Sequence, residues 1–372
     1  MSEIKQTMDV LTAPGDLGEK LADGSVRCHA CAHHCLIKPG RRGICRVRYN
    51  EGGELRVPWG YVAGLQADPV EKKPFFHLLP GSDALTFGML GCNFHCGYCQ
   101  NWITSQTLRD PEADASLSPT NIHRVTPADM VAYGQRAGAR LVVSSYNEPT
   151  ITSEWAVEIF KAAKAAGFTC AYVSNGYATL QVFEYLKPYL TGYKVDLKSM
   201  RDAHYRSLGG VLQNVLDSIR LAHDLGFWVE IVTLVIPGFN DSDEELRDAA
   251  QFLASVSPDI PWHLTAFHPD YKQDNTPYTP ARTLRRAAEI GREAGLHFVY
   301  AGNLPGQVGS LENTHCPTCS ALLVERHGLT VMDYKINADG KCPQCAASVP
   351  GRWTDRPETV NVGGWAYPRR VV

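Results

Sequence analysis

The chain has 372 residues, 44% of them hydrophobic and 20% charged, the make-up of a folded protein with one core of about 200–250 residues and small appendages. A formal net charge of −3 at pH 7 excludes a strongly basic nucleic-acid footprint. No apolar run reaches the length of a membrane span, and residues 1–20 lack a signal-peptide core, so a cytoplasmic protein is expected.

Residues 1–24 show no clear periodicity and read as a loose N-terminal extension. Residues 25–58 form a Cys-, Gly- and Arg-rich module, closed by the turn signal Glu51-Gly52-Gly53. The stretches GYVAGLQADP and EKKPFFHLLPGS follow and read as ordered loop, with Glu71, Lys72 and Lys73 as a solvated charge run. A regular alternation then begins. Apolar runs at 84–90, 140–145, 168–174, 190–197, 227–236, 262–268 and 296–300 read as strands. Helices are expected over 127–138, 152–166, 178–187, 211–224, 242–256 and 280–294. Pro127 after Thr126 is a start signal and Gly167 a stop signal. Strand–helix repetition over residues 59–309 predicts an α/β fold, a parallel sheet with helices outside it, as a partial or near-complete β/α barrel. Residues 310–353 read as a zinc-ribbon-like module and 354–372 as a surface tail.

All but Cys170 of the 12 cysteines fall in three tight groups. Disulfide scaffolds belong to short secreted chains, so in a long cytoplasmic one such clusters read as metal ligands. Cys28, Cys31, Cys35 and Cys45 form one four-thiolate set, with zinc or an auxiliary iron–sulfur cluster as the alternatives. Cys316-x2-Cys319 and Cys342-x2-Cys345 form a second, again zinc or an auxiliary cluster. The basic group Lys38, Arg41, Arg42, Arg46 and Arg48 is a docking face for an acidic electron donor or a plain solvated face. Cys170 lies in an apolar strand and reads as an inert buried thiol.

Between these sets stands Gly91-Cys92-Asn93-Phe94-His95-Cys96-Gly97-Tyr98-Cys99-Gln100-Asn101-Trp102, just after the first strand of the alternation. Barrel enzymes place their chemistry at that end of a strand. Three thiolates can hold three irons of a cubane and leave the fourth open; spacing alone also permits a three-Cys zinc site completed by His95 or a distant ligand.

This Cys-x3-Cys-x2-Cys loop resembles that of the radical S-adenosylmethionine (radical SAM) superfamily. The surrounding motifs resemble its pyruvate formate-lyase-activating group, and CNFHCGYCQNW with DPVEKKPFFHLLPGS most resembles the radical SAM enzyme of the AmmeMemoRadiSam system. The resemblance implies a [4Fe-4S] cluster on Cys92, Cys96 and Cys99. It implies reductive cleavage of SAM to methionine and a 5′-deoxyadenosyl radical, which abstracts hydrogen from a protein glycine or a small molecule. It also implies SAM contacts from Tyr98, Asn147, Glu148, Ser174, Asn175, Asp196, Lys198 and His268. Ser145-Tyr146 stands where the family has Gly-Gly, and Val173 where the activating enzymes have Asp. Glu230, alone in an apolar strand, reads equally as functional or structural. The implied partners are a flavodoxin- or ferredoxin-like electron donor and Memo-like and AMMECR-like proteins. The competing reading is a zinc-ribbon module for nucleic acid or protein on a non-catalytic barrel, which the net charge disfavours.

Overall fold

The computed structural model describes residues 3–364 and 366–371. Met1, Ser2, Trp365 and Val372, which fall in the expected extension and tail, lie outside the described residues. The alternation folds as strands β1 (Gly64–Pro69), β2 (Asp83–Gly88), β3 (Leu141–Ser144), β4 (Thr169–Ser174), β5 (Gly192–Asp196), β6 (Trp228–Val235), β7 (Trp262–Ala266) and β8 (Val299–Gly302). From β2 to β8 the strands lie side by side in chain order, every neighbour parallel. Each step between parallel strands from β2 onward carries a crossover helix: α1 (Pro127–Arg136), α2 (Ser153–Ala165), α3 (Leu180–Leu186), α4 (Leu212–Asp224), α5 (Asp243–Val256) and α6 (Ala281–Glu293); short helices Trp102–Ser105 and Pro111–Ala115 precede α1, and Asp202–Leu208 precedes α4.

The start and stop signals act as expected. Thr126 Oγ1 accepts from Asp129 N at 3.2 Å, and the Asp129 carboxylate accepts from Thr126 N at 2.8 Å, so two orphan donors are satisfied where Pro127 opens α1. Gly167 follows α2 at φ +87°, which a β-carbon disfavours.

Four expectations need correction. The stretch 64–69, read as loop, is β1: its Gly and Pro mask a strand that exists because it pairs antiparallel with β2, Gly64 opposite Gly88 and Pro69 opposite Asp83. The N-terminal extension contains a helix, Glu3–Val10, and two short strands. Part of the tail is also a strand, β9 (Arg369–Arg370), antiparallel to β1 at the edge of the sheet. The sheet therefore runs from β8 to β9 as an open, partial barrel.

The fourth correction bears on the site. The EKK segment is not solvated: Glu71 and Lys73 are buried, and Lys72 alone of the three is exposed. The segment plugs the hollow of the sheet near the amino ends of its strands. Val70, Phe75 and Leu78 pack on Ala84, Leu141, Val143 and Ala171. Full burial of a side chain such as Phe75 is worth about 1.5–3 kcal/mol of transfer free energy. Glu230 is the polar anchor of this plug. Its carboxylate accepts from Phe76 N, His77 N and Trp228 Nε1, each at 2.9 Å, and lies 2.7 Å from His263 Nε2. With every lone pair engaged, Glu230 serves structure. Among the described residues, no helix is long and apolar enough to cross a membrane.

Candidate functional site

Strands β2 to β5 end close to one level, because Ser144 lies opposite Phe87, Ser174 opposite Val195 and Asp196 opposite Val232. The loops leaving these ends surround the mouth of a cavity of about 830 Å³. That volume lies within the usual range for small-molecule sites, about 300–1,000 Å³.

The cysteine loop leaves β2 through Gly91 at φ +90°. A Cβ there would lie 2.5 Å from Val47 Cγ1 and 3.1 Å from Cys45 O, so only glycine fits. Cys92, Cys96 and Cys99 all line the cavity. Phe94 N donates to Cys92 Sγ at 3.4 Å, and Cys99 Sγ meets Ser105 Oγ at 3.2 Å. Burial pushes all three thiols up, Cys96 to about 11. Such thiols stay protonated near neutral pH and become ligands when a metal displaces the proton. Asn93 Nδ2 is buried with no hydrogen-bond partner among the described residues. Three soft sulfur donors on one loop, Cys96 buried and Cys92 and Cys99 half-buried, facing a roomy cavity, fit an iron–sulfur cluster with one open position.

The expected SAM contacts separate into three sets. Asn147, Glu148, Ser174 and Asn175 form one network. Asn147 Oδ1 accepts from Met89 N at 3.0 Å. The Glu148 carboxylate accepts from Thr150 N (3.1 Å), Thr150 Oγ1 (2.8 Å), Ser174 Oγ (2.8 Å) and Asn175 N (2.7 Å). Glu148 therefore caps the helical turn Pro149–Thr152 and ties the β3 loop to the β4 loop. Asn175 Nδ2 reaches Asn93 Oδ1 at 2.7 Å, which joins that network to the cysteine loop.

Asp196, Lys198 and Tyr98 form the second set. Asp196 contacts both Lys194 and Lys198. Burial works to raise its pKa, but Lys194 and then Lys198 hold the carboxyl down at about 2. Lys198 Nζ sits 6.0 Å from the Tyr98 ring centre. His268 stands apart: it is exposed at the rim, 3.0 Å from Gln100 Nε2, and does not line the cavity.

Two charged cavity residues escaped the sequence reading, Lys73 and Lys194, and so did Asp68, which lies behind Lys73 as its ion-pair partner. Lys194 had a signal, since it stands two residues before Asp196 and strand alternation puts both on one face. Asp68 and Lys73 had none, because β1 was invisible without its partner strand.

The flanking modules differ. The sulfurs of Cys316, Cys319, Cys342 and Cys345 all lie within 4.8 Å of one another. Two matching knuckles hold them. Ser320 N donates to Cys316 O and Ala346 N to Cys342 O, both at 2.9 Å, with Ser320 and Ala346 at φ +59° and +60°. Strands Leu322–His327 and Thr330–Tyr334 form a hairpin between the knuckles. Four thiolates so close fit one tetrahedral metal ion.

Cys28, Cys31 and Cys45 are buried and Cys35 half-buried, against the cysteine loop. His33 Nε2 lies 3.1 Å from Asn93 O, and Arg109 donates to Ile44 O (2.7 Å) and Cys92 O (2.9 Å). The expected basic face is incomplete, because Arg48 is buried and doubly bonded to Glu154. Cys170 is buried in β4 as expected, and burial pushes its thiol up to about 12.

The profile of the Radical SAM superfamily matches residues 87–253. An uncharacterized protein of Methanocaldococcus jannaschii is 35% identical over 336 residues, which cover 89% of this chain and 97% of that protein. The chain thus belongs to the radical SAM superfamily, whose members use SAM and an iron–sulfur cluster. An isethionate sulfite-lyase activating enzyme of Oleidesulfovibrio alaskensis is 27% identical over 147 residues, 39% of this chain and 46% of that enzyme. The chain thus matches less than half of that enzyme's length. A pyruvate formate-lyase-activating enzyme of Streptococcus mutans is 24% identical over 196 residues, 51% of this chain and 72% of that enzyme.

Proposed function

We propose that Cys92, Cys96 and Cys99 hold a [4Fe-4S] cluster at the cavity mouth and that SAM binds beside it. When bound, the cluster supplies one electron to the sulfonium of SAM, releasing methionine and a 5′-deoxyadenosyl radical that takes a hydrogen atom from a substrate. The observation that carries this reading is the three-thiol loop opening into a cavity of about 830 Å³, wide enough for a nucleoside and a second molecule.

The chain's own residues have distinct tasks. Asp196, kept ionised, and Lys198 offer a hydrogen-bond acceptor and a cation for the ribose and carboxylate of SAM. Asn147 and Asn175 offer amide groups near its amino group. Glu148 and Ser174 position Asn175 through Asn175 N and the loop bonds described above. Tyr98 supplies an apolar wall beside Lys198. His268 serves at the rim, where adenine would emerge.

The activating-enzyme relatives support a substrate of the glycyl-radical kind, and a small molecule is the other class. A flavodoxin- or ferredoxin-like protein is the electron donor, and Memo-like and AMMECR-like proteins are partners that the sequence resemblance implies. A reducing cytoplasm suits a protein whose cysteines are all free.

The test is anaerobic reconstitution with iron and sulfide. The expected result is a broad visible absorbance that bleaches with dithionite and SAM-dependent formation of 5′-deoxyadenosine. A colourless protein, or one that leaves SAM intact after reduction, overturns the proposal. Deuterium transfer into 5′-deoxyadenosine from labelled glycyl proteins or small molecules then identifies the substrate class.

Zinc in the C-terminal knuckles is the reading favoured by the compact four-sulfur group. Cys316→Ser is expected to release about one zinc per chain, by plasma mass spectrometry, and to lower the melting temperature while visible absorbance is retained. A loss of iron and visible absorbance in that variant would instead assign the module an iron centre. The N-terminal set Cys28, Cys31, Cys35 and Cys45 takes zinc or an auxiliary cluster, and the same metal count on Cys31→Ser separates the two.

A further inference from the structure

Between the N-terminal cysteine module and the cysteine loop stands a cation that the proposed function leaves without a task, Arg109. It is half-buried, and its acceptors are all neutral: Phe94 O at 2.5 Å, Ile44 O at 2.7 Å, Cys92 O at 2.9 Å and Gln106 Oε1 at 3.0 Å. Among the described residues no carboxylate pairs with it. That of its neighbour Asp110 is taken by Lys272 at 2.6 Å and by Tyr271. Partly withdrawing a guanidinium from water without a counter-charge is unfavourable. The groups placed to offset this are sulfurs. Burial foremost, with Arg46, works to lower the pKa of Arg109, and the sulfurs of Cys92, Cys45 and Cys96 work against it.

A second observation is independent of charge. Leu108 holds φ +62°, a conformation rare for a side-chain-bearing residue, and turns the chain shortly after the helix Trp102–Ser105. Arg109 then reaches back over the cysteine loop to Cys92 O and Phe94 O, and across to Ile44 O, just before Cys45. The same two segments meet where His33 Nε2 lies 3.1 Å from Asn93 O, and where a Cβ on Gly91 would come 3.1 Å from Cys45 O. The planar fork of a guanidinium suits a site with several acceptors on different segments. One side chain thus fixes the cysteine loop to the N-terminal module and sets a positive charge beside a proposed iron ligand.

We propose that Arg109 is a positioning residue for the cluster, whose positive charge beside Cys92 stabilises the cluster's negative charge, and most of all its reduced state. This rests on the proposed cluster and deepens it. Three thiolates give the bound cluster a net negative charge, and the electron that arrives from the donor adds to it. The iron core is reduced by that electron and the donor is oxidised; no bond at Arg109 forms or breaks, and its protons stay in place. At an effective dielectric constant of about 20, a full charge within roughly 12 Å shifts such a one-electron equilibrium about tenfold. Arg109 touches the peptide oxygen of a ligand residue, well inside that range.

The test is a dye-mediated redox titration of the reconstituted full chain with dithionite, without SAM, in which electron paramagnetic resonance follows the reduced cluster. Arg109→Gln is expected to lower the ratio of reduced to oxidised cluster at a fixed potential about tenfold, a midpoint shift of about 59 mV for one electron. Arg109→Lys keeps the charge and is expected to stay within about threefold of wild type, as is Lys161→Gln, a surface control. Iron per chain is counted for every variant, and the titration is read on Arg109→Met if Arg109→Gln holds no cluster. Iron lost from both neutral variants but kept by Arg109→Lys supports the same charge acting on the oxidised cluster as well. A neutral variant with the wild-type midpoint, an Arg109→Lys midpoint as low as that of the neutral variant, or iron loss from all three variants would overturn the inference. A wild type that takes up no cluster would overturn the proposed function and this inference with it; a wild-type cluster indifferent to Arg109 overturns this inference alone.

Discussion

Cys96→Ala reduces 5′-deoxyadenosine formation to the level of a protein-free control and lowers the iron bound at the cysteine loop. The side chain is buried, and its loop has no fourth cysteine to substitute. Burial raises the Cys96 thiol, while the nearby Lys198 ammonium pulls it down, so the sulfur sits in a pocket that accepts negative charge once a metal is bound. Alanine leaves two sulfurs for a cluster that needs three. Serine offers an oxygen, a poorer match to iron of this kind. Cys170→Ala provides the control, because that thiol packs in β4 with Phe160 O as its contact and lies outside the cavity. Comparable turnover in Cys96→Ala and wild type would remove the basis for the proposed chemistry.

The second large effect is on stability. Arg48 and Glu154 are each 1% exposed and form two parallel bonds of 2.7 Å. Arg48 also donates to Ile151 O at 3.0 Å, and Leu17 N donates to Glu154 Oε1 at 3.2 Å. This one pair joins the N-terminal cysteine module to α2. Removing one partner strands a buried charge, so Glu154→Ala is expected to cost roughly 3–5 kcal/mol in a urea melt. The double variant Arg48→Met with Glu154→Leu is expected to recover most of that loss, since two apolar side chains of similar volume leave no charge behind. A Glu154→Ala loss below about 1 kcal/mol would show that the pair is not desolvated as its burial requires.

Much of this protein is local information. Each helix of the parallel set arises close to its expected span, because Thr126, Pro127 and Gly167 act within a few residues of themselves. The parallel strands are equally legible, since burial on both faces leaves continuous apolar runs. The three cysteine groups are visible by spacing alone.

Other features have no local signature. β1 is a strand only because Gly64–Pro69 lies against β2, and its Gly and Pro argue otherwise until the partner is present. Glu71 and Lys73 read as solvated because sequence shows charge but not the partners, Arg326 and Asp68, that make burial tolerable. Arg48 reads as part of a basic face for the same reason; Glu154 lies 106 residues away. Glu148 reads as a contact for an incoming ammonium, yet its oxygens are engaged in holding two loops together.

Sequence by itself determined the order of the parallel strands and their crossover helices and the thiols available to metals, because each rests on short-range periodicity, capping or spacing. Tertiary structure alone decided that the sheet stays open, that a charged segment plugs its hollow, and that Lys73 and Lys194 share one cavity. Those outcomes depend on which distant groups satisfy a buried charge or an unpaired strand edge, and that pairing exists only once the chain has closed on itself.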